Sequence, residues 1–103
     1  MTGRCRRCGK TGRVEGHHPT GRIAGVAIHA VLVVVLCVAC HLDEGAIWRE
    51  AGLDAGNPSS VVLLRRLAVW LARWPGDLSQ DLVAALAEVL GDLAERIDGE
   101  TSS

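Results

Sequence analysis

Two cysteine pairs share the same gap, Cys5-Arg6-Arg7-Cys8 and Cys37-Val38-Ala39-Cys40. A two-residue gap lets both thiolates of a pair reach one tetrahedral Zn²⁺, and two such pairs complete its coordination. Gly9 after the first pair permits the tight backbone turn of a zinc knuckle. Between the pairs stands Glu15-Gly16-His17-His18-Pro19-Thr20-Gly21-Arg22, and His41 directly follows the last cysteine. With four sulfurs filling the structural ion, these histidines are free for other work. A neutral imidazole titrating near neutral pH can hold a second metal ion or accept a proton from water. If Cys37 and Cys40 open a helix, His41 lies in its first turn, and the ion pins that turn against the loop of His17 and His18.

The elements that must position these groups fit within 103 residues, enough for one domain or a small module with a helical appendage. The net charge of -1 hides an asymmetry: six Arg or Lys against one acid through His41, then five Arg against eleven acids. A basic front suits a polyanion such as nucleic acid, touched by only part of the protein, or is simply a solvated basic loop. The opening residues lack the apolar core of a secretory signal, so a cytoplasmic setting is expected, where paired cysteines favour metal over disulfides. Ile23 to Cys40 is eighteen residues without formal charge, near the length of a membrane span. His29 within it, Gly25 near its start and the cysteines at its end argue against a membrane reading.

Residues 1 to 22 read as loops and turns, because their glycines fall too closely for a regular element. Val31 to Leu36 is rich in β-branched residues and reads as a buried strand. His29, on this apolar run, reads as a buried, hydrogen-bonded histidine. Leu42 to Gly52 reads as a short helix with Asp43 and Glu44 in its first turn. Asn57-Pro58-Ser59-Ser60 offers caps for a helix to about Trp74, with Leu63, Leu67, Trp70 and Trp74 in one stripe and Arg65 and Arg66 on a solvated flank. Pro75-Gly76-Asp77 breaks it. A last helix from about Ser79 to Ile97 carries Leu82, Leu86, Val89, Leu90, Leu93 and Ile97, ahead of a frayed tail from Glu100 to Ser103. The two helices form an antiparallel hairpin whose stripes cover each other and the front module, with dimerisation or a protein partner as the alternative. Trp48, Trp70 and Trp74 read as core or interface anchors.

Taken together, Cys5-x-x-Cys8-Gly9, Glu15-Gly16-His17-His18-x-x-Gly21 and Leu36-Cys37-x-x-Cys40-His41 resemble the HNH endonucleases, in the zinc-containing, treble-clef (ββα-metal) branch common in bacteria and phages. The resemblance covers roughly Arg4 to Gly52. It implies a zinc-bound treble-clef module of β-hairpin plus helix over residues 1–53, which with the two-helix hairpin read from periodicity over 54–103 makes a small α+β fold. It implies metal-dependent hydrolysis of DNA phosphodiesters, with His18 as general base and His17 and His41 as ligands of a catalytic Mg²⁺, Mn²⁺ or Ni²⁺. Cys5, Cys8, Cys37 and Cys40 hold the structural zinc. Arg4, Arg6, Arg7, Lys10, Arg13 and Arg22 are expected to grip DNA phosphates with little sequence preference. Two positions depart from the pattern: Leu32 stands where relatives carry an Asn that orients the base, and Gly45 where some carry a further histidine. The alternative they motivate is a catalytically inactive zinc module that binds DNA or a protein partner.

Overall fold

The structure, a computed structural model, describes residues 1–23 and 25–101. The glycine-rich front folds as two strands rather than loops, β1 (Thr2–Arg4) and β2 (Thr11–His17), paired antiparallel with Gly3 opposite Gly12. Glycine weakens a strand interior but is retained where a neighbour comes close. A Cβ on Gly16 would stand 3.3 Å from Val33, and one on Gly3 would stand 3.4 Å from Val14. At Gly16, therefore, the missing side chain serves a close approach of Val33 rather than a turn.

The valine run is divided. Strands β3 (Arg22–Ile23) and β4 (Val26–Ala27) make a small separate hairpin, and Leu32 N donates to His29 O at 3.2 Å to close a turn. Only β5 (Val34–Cys37) joins the main sheet, whose order is β1-β2-β5. The expected strand from Val31 thus begins three residues later. Val31 and Val33 face outward, at 51% and 41% exposure, whereas Leu32, Val34 and Leu36 alternate into the core. In the antiparallel β2–β5 pair Val14 lies opposite Cys37 and His17 opposite Val34, so the cysteine and histidine positions are fixed by one ladder.

Helix α1 (Val38–Glu50) leaves β5 without an intervening loop. It starts four residues before the expected Leu42, which moves Asp43 and Glu44 out of the first turn and places Cys40 and His41 there. Its end is closed by Gly52, at φ +71°, and by Leu53 N donating to Trp48 O at 2.7 Å. Helix α2 (Ser60–Arg73) is capped by Ser59, whose hydroxyl accepts from Val62 N at 3.3 Å, and α3 (Gln80–Thr101) by Ser79, accepting from Leu82 N at 3.3 Å. Ser60 Oγ, at the start of α2, donates to Glu100 at the end of α3 at 2.8 Å, so the two run antiparallel. Glu100 is helical rather than frayed; residues 102 and 103 of the expected tail lie outside the described residues.

One core runs through both halves. Cys5, Leu32, Val34, Leu36 and Cys40 pack in a single cluster with Leu63, Leu67 and Trp70 of α2 and Leu82, Leu86, Val89 and Leu93 of α3. Leu90, expected on the buried stripe, is 42% exposed. The linker near residue 54 is therefore a break in the chain's regular structure but not a seam in its packing. Burial of each large apolar side chain contributes roughly 1.5–3 kcal/mol, and most of those contributors lie on α2 and α3. His29 is buried and bonds Thr20 Oγ1 at 3.2 Å and Asp92 of α3 at 2.8 Å, a second tie between the halves. Arg65 is exposed, but Arg66, expected beside it in solvent, is buried, because its guanidinium reaches backbone carbonyls on the front half. Among the described residues no helix is long and apolar enough to cross a membrane.

Candidate metal centre and histidine cleft

The first cysteine pair sits in the turn between β1 and β2. Cys5 N donates to Lys10 O at 2.8 Å, Gly9 N to Cys5 O at 3.0 Å and Cys8 N to Cys5 Sγ at 3.4 Å, with Gly9 at φ +80° as the knuckle requires. The second pair spans the end of β5 and the first turn of α1. Arg6 N donates to Val35 O at 2.9 Å and locks the turn onto β5. All four cysteines are free of disulfides, and their Sγ atoms lie within 4.8 Å of one another. Cys8 Sγ and Cys37 Sγ are 3.7 Å apart, close to the roughly 3.8 Å separation that tetrahedral Zn–S bonds of about 2.3 Å demand. The four can hold a structural metal such as zinc.

The sulfurs are electronically uneven. Burial pushes the Cys5 thiol up, but backbone N–H groups from Cys8, Cys37 and Arg7 outweigh it and bring it down to about 6. Cys40 is driven well above the usual thiol range, by burial first and then by hydrogen bonds with Cys37, Cys5 and Cys8. One sulfur is thus ready as a thiolate, and a cation is what draws the proton from the last.

Alternation on β2 and helical spacing on α1 bring the histidines together. Glu15 and His17 are two residues apart on the strand; His41, Gly45 and Trp48 are four and three apart on the helix. A cleft of about 240 Å³ is lined by Gly16, His17, His18, Gly21, Arg22, His41, Gly45 and Trp48. His17 meets His41 edge to face, with ring centroids 5.1 Å apart, and Trp48 at 5.6 Å. Glu15 Oε1 lies 3.2 Å from His41 Nδ1, which sets the ring's orientation. No protein-family model, curated protein or solved structure matches the chain.

All three expected active-site histidines therefore share one cleft. His29 is not among the cleft's lining residues, and Leu32, wholly buried, supplies no amide. The six expected phosphate contacts do not all gather there. Arg22 lines the cleft, its NH1 donating to Gly25 O at 3.1 Å. Arg4, Arg6 and Arg7 line a separate groove beside the knuckle with Pro75 and Gly76. Arg7 is turned to Asp43 and Glu44, each at 3.8 Å, so its charge is engaged within the protein rather than offered to phosphate. Burial raises the Glu44 carboxyl, opposed by Arg7 and then Arg73. Lys10 and Arg13 stand exposed at the β1–β2 end. Sequence reasoning did not assign Trp48 to the cleft or Glu15 to His41; the shared helix face of His41, Gly45 and Trp48, and the strand face of Glu15 and His17, were the available signals.

His17 is 4% exposed, and its Nε2 and the His18 Nδ1 are buried without a hydrogen-bond partner among the described residues. Burial, followed by the charges of His41 and His18, brings His17 down to about 3. Burial, then Arg22 and His41, lowers His18 as well. Both rings are neutral at physiological pH. A histidine lowered on folding takes up fewer protons in the native than in the unfolded chain, so it stabilises above the unfolded value of about 6.5 and that stability is lost as pH falls towards the folded value. Unfolding titrations from pH 7 to pH 4 are expected to show stability falling with a His17 contribution of up to about 1.4 kcal/mol per pH unit. His17→Gln should flatten that slope; a variant with the wild-type slope would show that His17 is not the buried neutral group.

Proposed function

We propose that the chain is an endonuclease of the HNH type that hydrolyses DNA phosphodiesters in a cleft held open by a structural zinc. The observation that carries this reading is the convergence of His17, His18 and His41 on one cleft beside the four-cysteine cluster. The antiparallel β2–β5 pair running straight into α1 supports a treble-clef arrangement, with the knuckle as its fourth part.

His17 and His41 would hold the catalytic ion through their imidazoles, and the orphaned His17 Nε2 is what such an ion would satisfy. When bound, the ion supplies Lewis-acid stabilisation of charge developing on the scissile phosphate. Among the described residues only the cysteines form a group of three or more donors close enough for one ion, so the cleft offers few protein ligands and leaves room for phosphate oxygens and water. Imidazole donors suit Ni²⁺ better than Mg²⁺ or Mn²⁺, which prefer oxygen. His18 takes a proton from the attacking water at a ring nitrogen. The water oxygen joins phosphorus, the bond from phosphorus to the leaving oxygen breaks, and the leaving oxygen is protonated from solvent. Arg22 at the cleft wall holds a neighbouring phosphate. Purified protein loaded with zinc should nick supercoiled plasmid with Ni²⁺ or Mn²⁺; plasmid left intact with Ni²⁺, Mn²⁺ and Mg²⁺ alike would end this reading.

A second reading keeps the zinc module and drops the chemistry. It is favoured by Leu32 in the core and by His18 Nδ1, which has no hydrogen-bond partner on its ring nitrogen among the described residues. A salt-sensitive DNA affinity that survives alanine at His17, His18 and His41 would support it.

A further inference from the structure

The helical hairpin reaches the histidine cleft through one side chain. Arg66 on α2 is 3% exposed. Its Nε donates to Leu53 O at 2.6 Å, NH1 to Thr20 O at 2.8 Å and NH2 to Ala55 O at 2.9 Å. The guanidinium lies over Trp48, 4.6 Å from the ring centroid. From there a continuous column leads into the cleft: Trp48 against His17, His17 against His41, His41 against Glu15. The turn carrying His18 is held at the same place. Gly21 N donates to His18 O at 2.7 Å, and a Cβ on Gly21, at φ +90°, would stand 2.6 Å from Arg66 NH1 and 3.2 Å from Trp48.

A buried guanidinium is an expensive way to fill space. Desolvating the charge is unfavourable, and an apolar residue of similar volume is often as stable or better. What a planar fork does, and Leu or Met does not, is bind three carbonyls in fixed directions while presenting a flat face to an indole. Thr20 O belongs to the His17–Gly21 turn, which lines the cleft, and the other two carbonyls belong to the linker that follows α1.

We infer that Arg66 is a positioning residue for the histidine cleft, fixing the His17 ring through Trp48 and the His18 turn through the Thr20 carbonyl. Its catalytic consequence rests on the nuclease reading, whereas its effect on the imidazoles does not. The test uses the full zinc-loaded chain and Arg66→Lys, which keeps the charge and loses the fork. Long-range ¹H–¹⁵N spectra of the imidazoles are recorded without added divalent ion, alongside zinc content and thermal melts. Arg66→Lys is expected to keep one zinc per chain and a cooperative melt while the His17 and His41 signals move. Calorimetric Ni²⁺ affinity of the cleft should fall about 10- to 100-fold, and kcat for plasmid nicking with it, while KM for DNA stays within roughly twofold. Imidazole signals that coincide with the wild type, with zinc retained, would overturn the inference and leave Arg66 a packing residue. Should Arg66→Lys not fold, Trp48→Phe removes the indole face and decides the question by the same signals. If the wild type neither nicks nor binds Ni²⁺, the nuclease reading fails, and the imidazole spectra still decide the role of Arg66.

Discussion

Replacing Cys40 or Cys5 with serine, or stripping zinc with a strong chelator, is expected to abolish the cooperative thermal transition of the chain. Both sulfurs lie in the continuous core, at 9% and 2% exposure, and the cluster joins the β1–β2 turn to the start of α1. Structural zinc contributes roughly 10–16 kcal/mol in small domains, against a total stability of about 5–15 kcal/mol for a domain. Loss of the ion thus removes a quantity comparable with everything else that favours folding. Serine compounds the effect by leaving a hydroxyl within the apolar cluster. Cys8→Ser, at the exposed edge of the cluster, should be milder, because its hydroxyl can turn to water. Melts followed by circular dichroism, with metal content from elemental analysis, test this. A chelated, metal-free chain melting within a few degrees of the native one would show that the four sulfurs do not hold the fold.

What was legible beforehand follows the range of the signals. The two-residue gaps in both cysteine pairs are local, and the structure brings all four sulfurs together. Ser59 as a cap, the start of the last helix near Ser79, and the stripe of Leu63, Leu67 and Trp70 are likewise local patterns that survive folding. Three expectations failed for non-local reasons. The strands through Gly3 and Gly16 were hidden because glycine reads as a turn unless the neighbour it admits is known. The start of α1 at Val38 was hidden by valine and alanine between two cysteines, where the ladder from Val14 to Cys37 ends the strand and no cap side chain marks the helix. Arg66 was hidden because nothing in its neighbours announces that carbonyls 13 and 46 residues away will meet its guanidinium. Adjacent Arg65 and Arg66 look alike in sequence and differ only in which side of α2 meets the front half.

The histidine variants are expected to separate by role. His18→Ala should lower the nicking rate about 10²- to 10⁴-fold with little change in Ni²⁺ affinity, since it removes the group that takes the proton. His17→Ala and His41→Ala should lose Ni²⁺ binding first, and excess metal should restore part of their rate. Glu15→Gln should fall between them: the amide keeps a hydrogen bond to His41 Nδ1 but not the carboxylate's charge, a change that costs about 10- to 100-fold in comparable ligand supports. The pH profile supplies an independent sign. The base works only when neutral, and burial with Arg22 and His41 nearby lowers His18 from about 6.5. The acid limb of kcat/KM must therefore lie below pH 6.5, with activity retained at mildly acidic pH and lost as protonation sets in. An acid limb above 6.5 would mean that the titrating base is not His18 in this environment. Equal losses of rate and of metal affinity in all three alanine variants would mean that the imidazoles act as one ligand set, with the base elsewhere.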